Sequence, residues 1–111
     1  MGLPASITPV TVTCTYLLPS GDPATGAVSF TPSITAATTG TVVPVSPLTV
    51  TLDDAGALSV VLAATDDADW VGGFTYEVVE RIDGAPKRTY TIQVPAASPG
   101  GTLDLATVTP V

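Results

Sequence analysis

Apolar and polar residues alternate with a period of two along most of the chain, and turn-forming residues separate the alternating segments. In residues 10–16 the apolar series Val10, Val12, Cys14 and Tyr16 is interleaved with threonines. Similar segments occur at 27–31, 48–53, 58–62, 74–82 and 90–94. Because successive side chains of a strand point to opposite faces, this pattern indicates β-strands with one buried face.

The turns between these segments contain residues that fix or permit special backbone dihedrals. They are Pro19-Ser20-Gly21-Asp22-Pro23, Asp54-Ala55-Gly56, Asp83-Gly84-Ala85-Pro86 and Pro99-Gly100-Gly101. No segment has apolar residues at helical spacing over three turns, and the chain contains 11 prolines. The sequence therefore predicts an all-β fold, an antiparallel Ig-like or transthyretin-like β-sandwich of about seven to eight strands.

The same pattern predicts the domain organisation. Residues 10–111 are expected to form a single sandwich domain, with a tight hairpin at residues 54–56 and a last short strand at 102–105. Residues 33–47 are expected to be a crossover with an edge strand at 41–45, because Pro44 and Pro47 exclude a central strand. Residues 1–9 are expected to form an extended N-terminal arm.

Charge and missing residue types exclude several classes of function. The net charge is -7, with 3 basic and 10 acidic residues, which argues against a nucleic-acid binder. There is no apolar run long enough to span a membrane and no signal-peptide pattern at the N-terminus. With no histidine, a single cysteine and no phosphate-binding loop, we expect no enzymatic activity, no cofactor and no metal centre.

The carboxylates give two further predictions. Asp66, Asp67 and Asp69 are expected to form a solvated loop, with calcium binding as the alternative, since the spacing of an EF-hand is missing. Glu77 and Glu80 are three residues apart on a predicted strand, so they cannot form a catalytic pair on one face. Glu80 is expected to lie beyond the core, in an exposed pair with one of the nearby basic residues: Arg81, Lys87 or Arg88.

Several apolar residues outside the regular strands are candidate partner contacts. Trp70, in the loop after the acidic residues, is predicted either to cap the open end of the sandwich or to anchor an interface. The same alternatives hold for the leucines that precede the first proline turn. The full set of candidate contacts is Leu3, Ile7, Leu17, Leu18, Trp70 and Val71. Cys14 is expected to be an inert buried thiol.

Nearly the whole chain resembles small β-sandwich virion proteins of tailed phages that infect actinobacteria. The resemblance lies in "TVTCTYLLPSGDPATGAVSF" (11–30), "VTLDDAGALSVVLAATDDADW" (50–70), "FTYEVVERIDGAPKRTYTIQVP" (74–95) and "SPGGTLDLATV" (98–108). It implies a structural part of the virion without activity. A second likeness, to transthyretin-like and carboxypeptidase-regulatory-like sandwiches, rests on the Asp-x-x-Gly turn followed by alternating leucine and valine.

The virion resemblance implies a location and partners. Because no fibre region follows Val111, we expect a capsid decoration protein that docks on the outside of the major capsid protein lattice after synthesis in the host cytoplasm. It is also expected to associate with itself, for example as a trimer. A minor tail or fibre-base protein is the first alternative. The second is a carbohydrate- or host-surface-binding sandwich that uses Trp70, Tyr76 and Tyr90 as stacking platforms.

Overall fold

A computed structural model describes residues 8–38, 41–66, 70 and 73–111. The alternating segments of these residues form nine strands. Turns and two short 3₁₀ segments, Pro99–Gly101 and Leu105–Thr107, join them. The strands are β1 Pro9–Thr15, β2 Gly26–Pro32, β3 Ala36–Thr38, β4 Thr41–Val43, β5 Leu48–Thr51, β6 Ala57–Ala63, β7 Tyr76–Ile82, β8 Arg88–Ile92 and β9 Thr102–Asp104.

Seven of the strands form two sheets around a common core. The three-stranded sheet has the order β6-β1-β9, and the four-stranded sheet has the order β5-β2-β7-β8. All their pairings are antiparallel except β1 with β9, which is parallel. The predicted all-β sandwich is confirmed. An Ig-like strand order is not confirmed, since β1 and β2 lie in different sheets, whereas an Ig sandwich has its first two strands in one sheet.

The core is built from the apolar positions of the alternating segments. Val12 of β1 is opposite Val60 of β6, and Phe30 of β2 is opposite Val78 of β7. In β1 the intervening positions are the threonines Thr11, Thr13 and Thr15, which are partly or fully exposed. Burial of each large aliphatic side chain stabilises the fold by about 1.5–3 kcal/mol. The largest fully buried side chains are Phe30, Leu58, Ile92, Val10, Val12, Val28, Val78 and Val94.

The turn at residues 53–56 differs from its predicted role as a hairpin. β5 pairs with β2 and β6 pairs with β1, so this turn carries the chain from one sheet to the other. The Asp53 carboxylate accepts hydrogen bonds from the backbone N–H of Ala55 (2.8 Å) and Ala57 (2.9 Å). At Gly56 the backbone has φ +75° and lies so close to Tyr16 that a Cβ would be 2.3 Å from its carbonyl oxygen.

The other connections agree more closely with the sequence. β7 and β8 form the expected hairpin around residues 83–86. Within residues 33–47, β4 pairs with β3 in a small separate hairpin, so the predicted edge strand exists but is shorter. Residues 1–7 of the predicted arm lie outside the described residues, and Pro9 is already the first residue of β1. In the part of the chain that the structure describes, no helix has the length and apolar character needed to cross a membrane.

Candidate functional site

A cluster of hydrogen-bonded polar side chains surrounds Glu80 between the two sheets. Its Oε2 accepts hydrogen bonds from the hydroxyls of Tyr16 (2.5 Å) and Tyr90 (2.8 Å). Arg88 donates from Nε to Oε1 at 2.6 Å and from a terminal nitrogen to Oε2 at 3.1 Å. The guanidinium also lies over the Tyr90 ring, 4.8 Å from its centroid. We call these four residues the Glu80 cluster.

Strand order explains why the cluster is buried. β7 remains between β2 and β8 through residue 80, with Val28 opposite Glu80 on one side and Arg88 on the other. The prediction of an exposed Glu80 was therefore wrong, because this residue is only 5% exposed. The predicted partner set was right in one member, since Arg88 forms the ion pair.

The electrostatics of the cluster favour an ionised carboxylate and neutral phenols. Burial alone would raise the pKa of Glu80, but the hydrogen bonds from Arg88, Tyr16 and Tyr90 outweigh it and hold the pKa below its ordinary value. Burial and the bond to Glu80 raise the pKa of Tyr90 to about 12 and raise that of Tyr16 further. The bond to Glu80 also raises the pKa of Arg88.

This arrangement is suited to holding the two sheets together. Both carboxylate oxygens of Glu80 already accept hydrogen bonds, and its lowered pKa makes it a weak base. An open cleft of about 360 Å³ lies beside the cluster, lined by Arg88, Tyr90, Leu105 and Val108 among others. The cleft presents the outer side of Arg88, whose side chain is 68% exposed.

Trp70 caps one end of the sandwich. Its indole is 6% exposed and donates a 2.7 Å hydrogen bond from Nε1 to the carbonyl of Ala64. Phe74 packs edge-on against it with ring centroids 5.5 Å apart, and Tyr76 packs against Phe74 at 5.2 Å. Of the two predictions for Trp70, the geometry matches the cap.

The burial of the aromatic side chains argues against the carbohydrate-binding alternative. Trp70 and Tyr76 are in the core, and burial raises the pKa of Tyr76 to about 12. Tyr90 belongs to the Glu80 cluster with its hydroxyl already used. The three aromatic side chains therefore do not form an exposed platform on which a sugar could stack.

The remaining candidate contacts divide into exposed residues and residues outside the description. Leu17 is 59% exposed and Leu18 is 36% exposed, at the start of a turn closed by a backbone hydrogen bond from Leu18 N to the carbonyl of Asp22. These two leucines are available to a partner. Leu3, Ile7 and Val71 lie outside the described residues.

The acidic loop is described only in part. Asp66 is exposed, and its carboxylate accepts a 2.7 Å hydrogen bond from the backbone of Ala96. Asp67 and Asp69 lie outside the described residues. Over residues 8–38, 41–66, 70 and 73–111, no group of three Asp, Glu, Cys or His side chains is placed to hold a metal ion.

Cys14 is less buried than predicted. It lies at intermediate exposure without a disulfide partner, near the end of β1, where the core gives way to the Glu80 cluster. Burial, together with the negative charges of Asp104 and Glu80, raises the pKa of its thiol. The thiol is therefore protonated at neutral pH and a poor nucleophile.

Sequence reasoning missed a set of exposed apolar residues in and around the β3–β4 hairpin. Ile34, Val42, Val45 and Leu48 are each between 45% and 62% exposed. A sequence signal was present, because no charged residue occurs between Pro23 and Leu52. We call these four residues the hairpin patch.

Comparison with known proteins gave no assignment: no protein-family model matches the chain, and no curated protein matches it significantly.

Proposed function

We propose that the chain is a non-enzymatic structural protein of a phage virion, a capsid decoration protein that docks on the outside of the major capsid protein lattice. The observation that carries this proposal is the hairpin patch, which presents large apolar side chains on an uncharged part of an otherwise acidic chain. Exposed large apolar side chains, where they adjoin, are typical of a protein-binding surface.

The outer faces of the sheets support docking in the same way. The three-stranded sheet presents Thr11, Thr13 and Thr102 at neighbouring positions. The four-stranded sheet presents Thr89 and Thr91, with Val79 and Glu77 opposite them. These faces carry few charges, Asp104 on the first and Glu77 and Arg81 on the second, so they can approach another protein without the cost of desolvating many charges.

The net charge of the chain favours a position on the outer surface of the capsid over a position on its inner surface. A chain with a charge of -7 repels packaged DNA, whereas on the outside it meets only protein and solvent. Weak contacts at the hairpin patch and at Leu17 would be repeated over the lattice, so that avidity adds to a modest affinity per subunit.

Copy number in purified virions tests the location. Quantitative mass spectrometry of separated heads and tails should find the chain in the head fraction at a copy number comparable to that of the major capsid protein. A few copies confined to the tail fraction would replace the proposal with the minor tail or fibre-base alternative. Absence from both fractions would overturn the virion assignment.

A binding experiment tests the surface. Val42→Lys should weaken attachment to purified capsids, because it places a charge in the hairpin patch. The matched control is Ala85→Lys, which adds the same charge at an exposed position in the turn between β7 and β8. If both variants bind as well as the wild type, the hairpin patch is not part of the interface.

A further inference from the structure

β6 has an unpaired edge among the described residues. Its only strand partner there is β1, and bonds from Ala64 N to Thr8 O and from Tyr16 N to Gly56 O fix the hydrogen-bonding register. In that register the even-numbered residues of β6 bond to β1, so the N–H and C=O groups of the odd-numbered residues point away from it.

Two of these outward residues have free backbone groups. Ala57 is already bonded to Asp53 through both its N–H and its C=O, and the carbonyl of Ala63 accepts the Tyr76 hydroxyl. Ser59 and Val61 have no such partners in the described structure, and both are exposed. The free edge of β6 therefore consists of the backbone of Ser59 and Val61.

The other edges of the two larger sheets are protected in ways that the β6 edge is not. Beside β8, Val111 donates a 2.8 Å hydrogen bond to the carbonyl of Thr91, and Arg88 places a charge at its start. β9 has only 3 residues, and β5 has 4 residues directly after Pro47. Short strands, charges and covering segments are the usual protections of a sheet edge.

The β6 edge is also free of charge. No charged residue occurs from position 55 to position 65, although the whole chain carries a net charge of -7. The side chain of Val61 is 57% exposed on this edge. Two copies of an acidic chain repel one another over most of their surface, and this strand is a place where they can meet without opposing carboxylates in the contact.

We propose that β6 pairs with β6 of a second copy, antiparallel about a two-fold axis at Val60. Ser59 of each copy then lies opposite Val61 of the other, and all the free N–H and C=O groups of these residues are paired. The two three-stranded sheets join into one continuous sheet.

The choice of axis follows from burial. An axis at Val61 would require Ala63 to take part, but Ala63 is only 5% exposed and its carbonyl is already bonded. An axis at Ser59 would require Ala57, whose backbone groups are bonded to Asp53. The axis at Val60 uses only the exposed, free groups.

The inference is independent of the virion assignment, because it concerns the purified chain alone. Sedimentation equilibrium over a range of concentrations should show a monomer–dimer equilibrium that shifts toward dimer as salt screens the net charge. Amide hydrogen exchange at Ser59 and Val61 should slow as the concentration rises.

Two substitutions make the test specific. Val61→Pro removes an N–H that no bond among the described residues uses, so the domain should still fold while the dimer dissociation constant rises about tenfold or more. Val61→Lys brings two positive charges into diagonal positions across the axis and should act in the same direction. Thr102→Lys, on the edge strand at the other side of the sheet, is the matched control and should leave the dimer unchanged.

Several outcomes would overturn the proposal. They are a wild-type chain that stays monomeric at every concentration, a trimer, and a dimer that persists in the Val61→Lys variant. A trimer is decisive because a two-fold pairing of edges cannot close a three-fold ring. Should Val61→Pro fail to fold, the lysine variant and the exchange rates still decide.

Discussion

The hydroxyl of Tyr16 donates a 2.5 Å hydrogen bond to Oε2 of Glu80, and this bond joins the segment after β1 to β7 of the opposite sheet. Tyr90 and Arg88 bring β8 to the same carboxylate. A charged group therefore lies where a sandwich would ordinarily place an apolar side chain. Its burial is tolerated because both of its oxygens are hydrogen-bonded.

Removing the carboxylate should destabilise the fold more than removing any exposed acid. Glu80→Ala leaves Tyr16, Tyr90 and Arg88 without their acceptor, and we expect the free energy of unfolding to fall by about 3 kcal/mol. Glu77→Ala, on the opposite face of β7, is the control and should change it by no more than about 0.5 kcal/mol. Urea denaturation followed by circular dichroism measures both; similar losses would mean that the Glu80 cluster contributes little.

Acid should weaken the fold through the same group. The pKa of Glu80 is lowered in the folded state relative to 4.5, so its contribution is fully present above that value and is lost as the pH falls through the folded pKa. Glu80→Gln should lower stability at neutral pH and flatten its decline below about pH 5. The measurement is the melting temperature against pH, with Glu77→Gln as control; parallel acid limbs for wild type and Glu80→Gln would contradict the assignment.

Trp70 should contribute to stability rather than to recognition. Trp70→Ala empties the end cap and leaves the carbonyl of Ala64 without its donor, so we expect a loss of about 3–5 kcal/mol. Because the chain has 1 tryptophan, unfolding of the variant has to be followed by circular dichroism instead of indole fluorescence. The exposed Val61→Ala is the comparison, and an equally small effect at both positions would place Trp70 outside the core.

Gly56 should resist substitution for a steric reason. A Cβ at this position would lie 2.3 Å from the carbonyl oxygen of Tyr16, so Gly56→Ala has to move the backbone that links the two sheets. Gly84 has a similar φ of +82° with nothing within 4 Å, so Gly84→Ala carries only the conformational cost of about 1–2 kcal/mol. Thermal unfolding of the two variants should show a clearly larger loss for Gly56→Ala, and equal losses would show that the close contact can relax.

Local pattern predicted the strands well because alternation depends only on which residues are buried. The core positions of β1, β2 and β7 and the β7–β8 hairpin were all readable in this way. The pairing partner of each strand could not be predicted from the local pattern. The turn at Asp53–Gly56 has the same local chemistry whether its strands pair with each other or, as here, belong to different sheets.

The Glu80 cluster was missed for the same reason. Whether residue 80 is buried depends on β2 and β8 continuing beside β7 to its end, which a period of two in β7 does not reveal. Tyr16 reaches Glu80 from a part of the chain far away in sequence, and no local signal connects them. The ion pair with Arg88 was foreseeable because both residues flank one hairpin.

The parallel pairing of β1 with β9 places the earliest and latest strands of the sandwich side by side, with Thr11 opposite Thr102. During synthesis, β1 leaves the ribosome long before β9 exists, and its edge stays open until residue 104 has emerged. Contacts between such distant segments form slowly because closing a long loop costs chain entropy before the new contacts offset it. We therefore expect the three-stranded sheet to be completed late in folding. Until then the edges of both β1 and β6 are open to pairing with other chains.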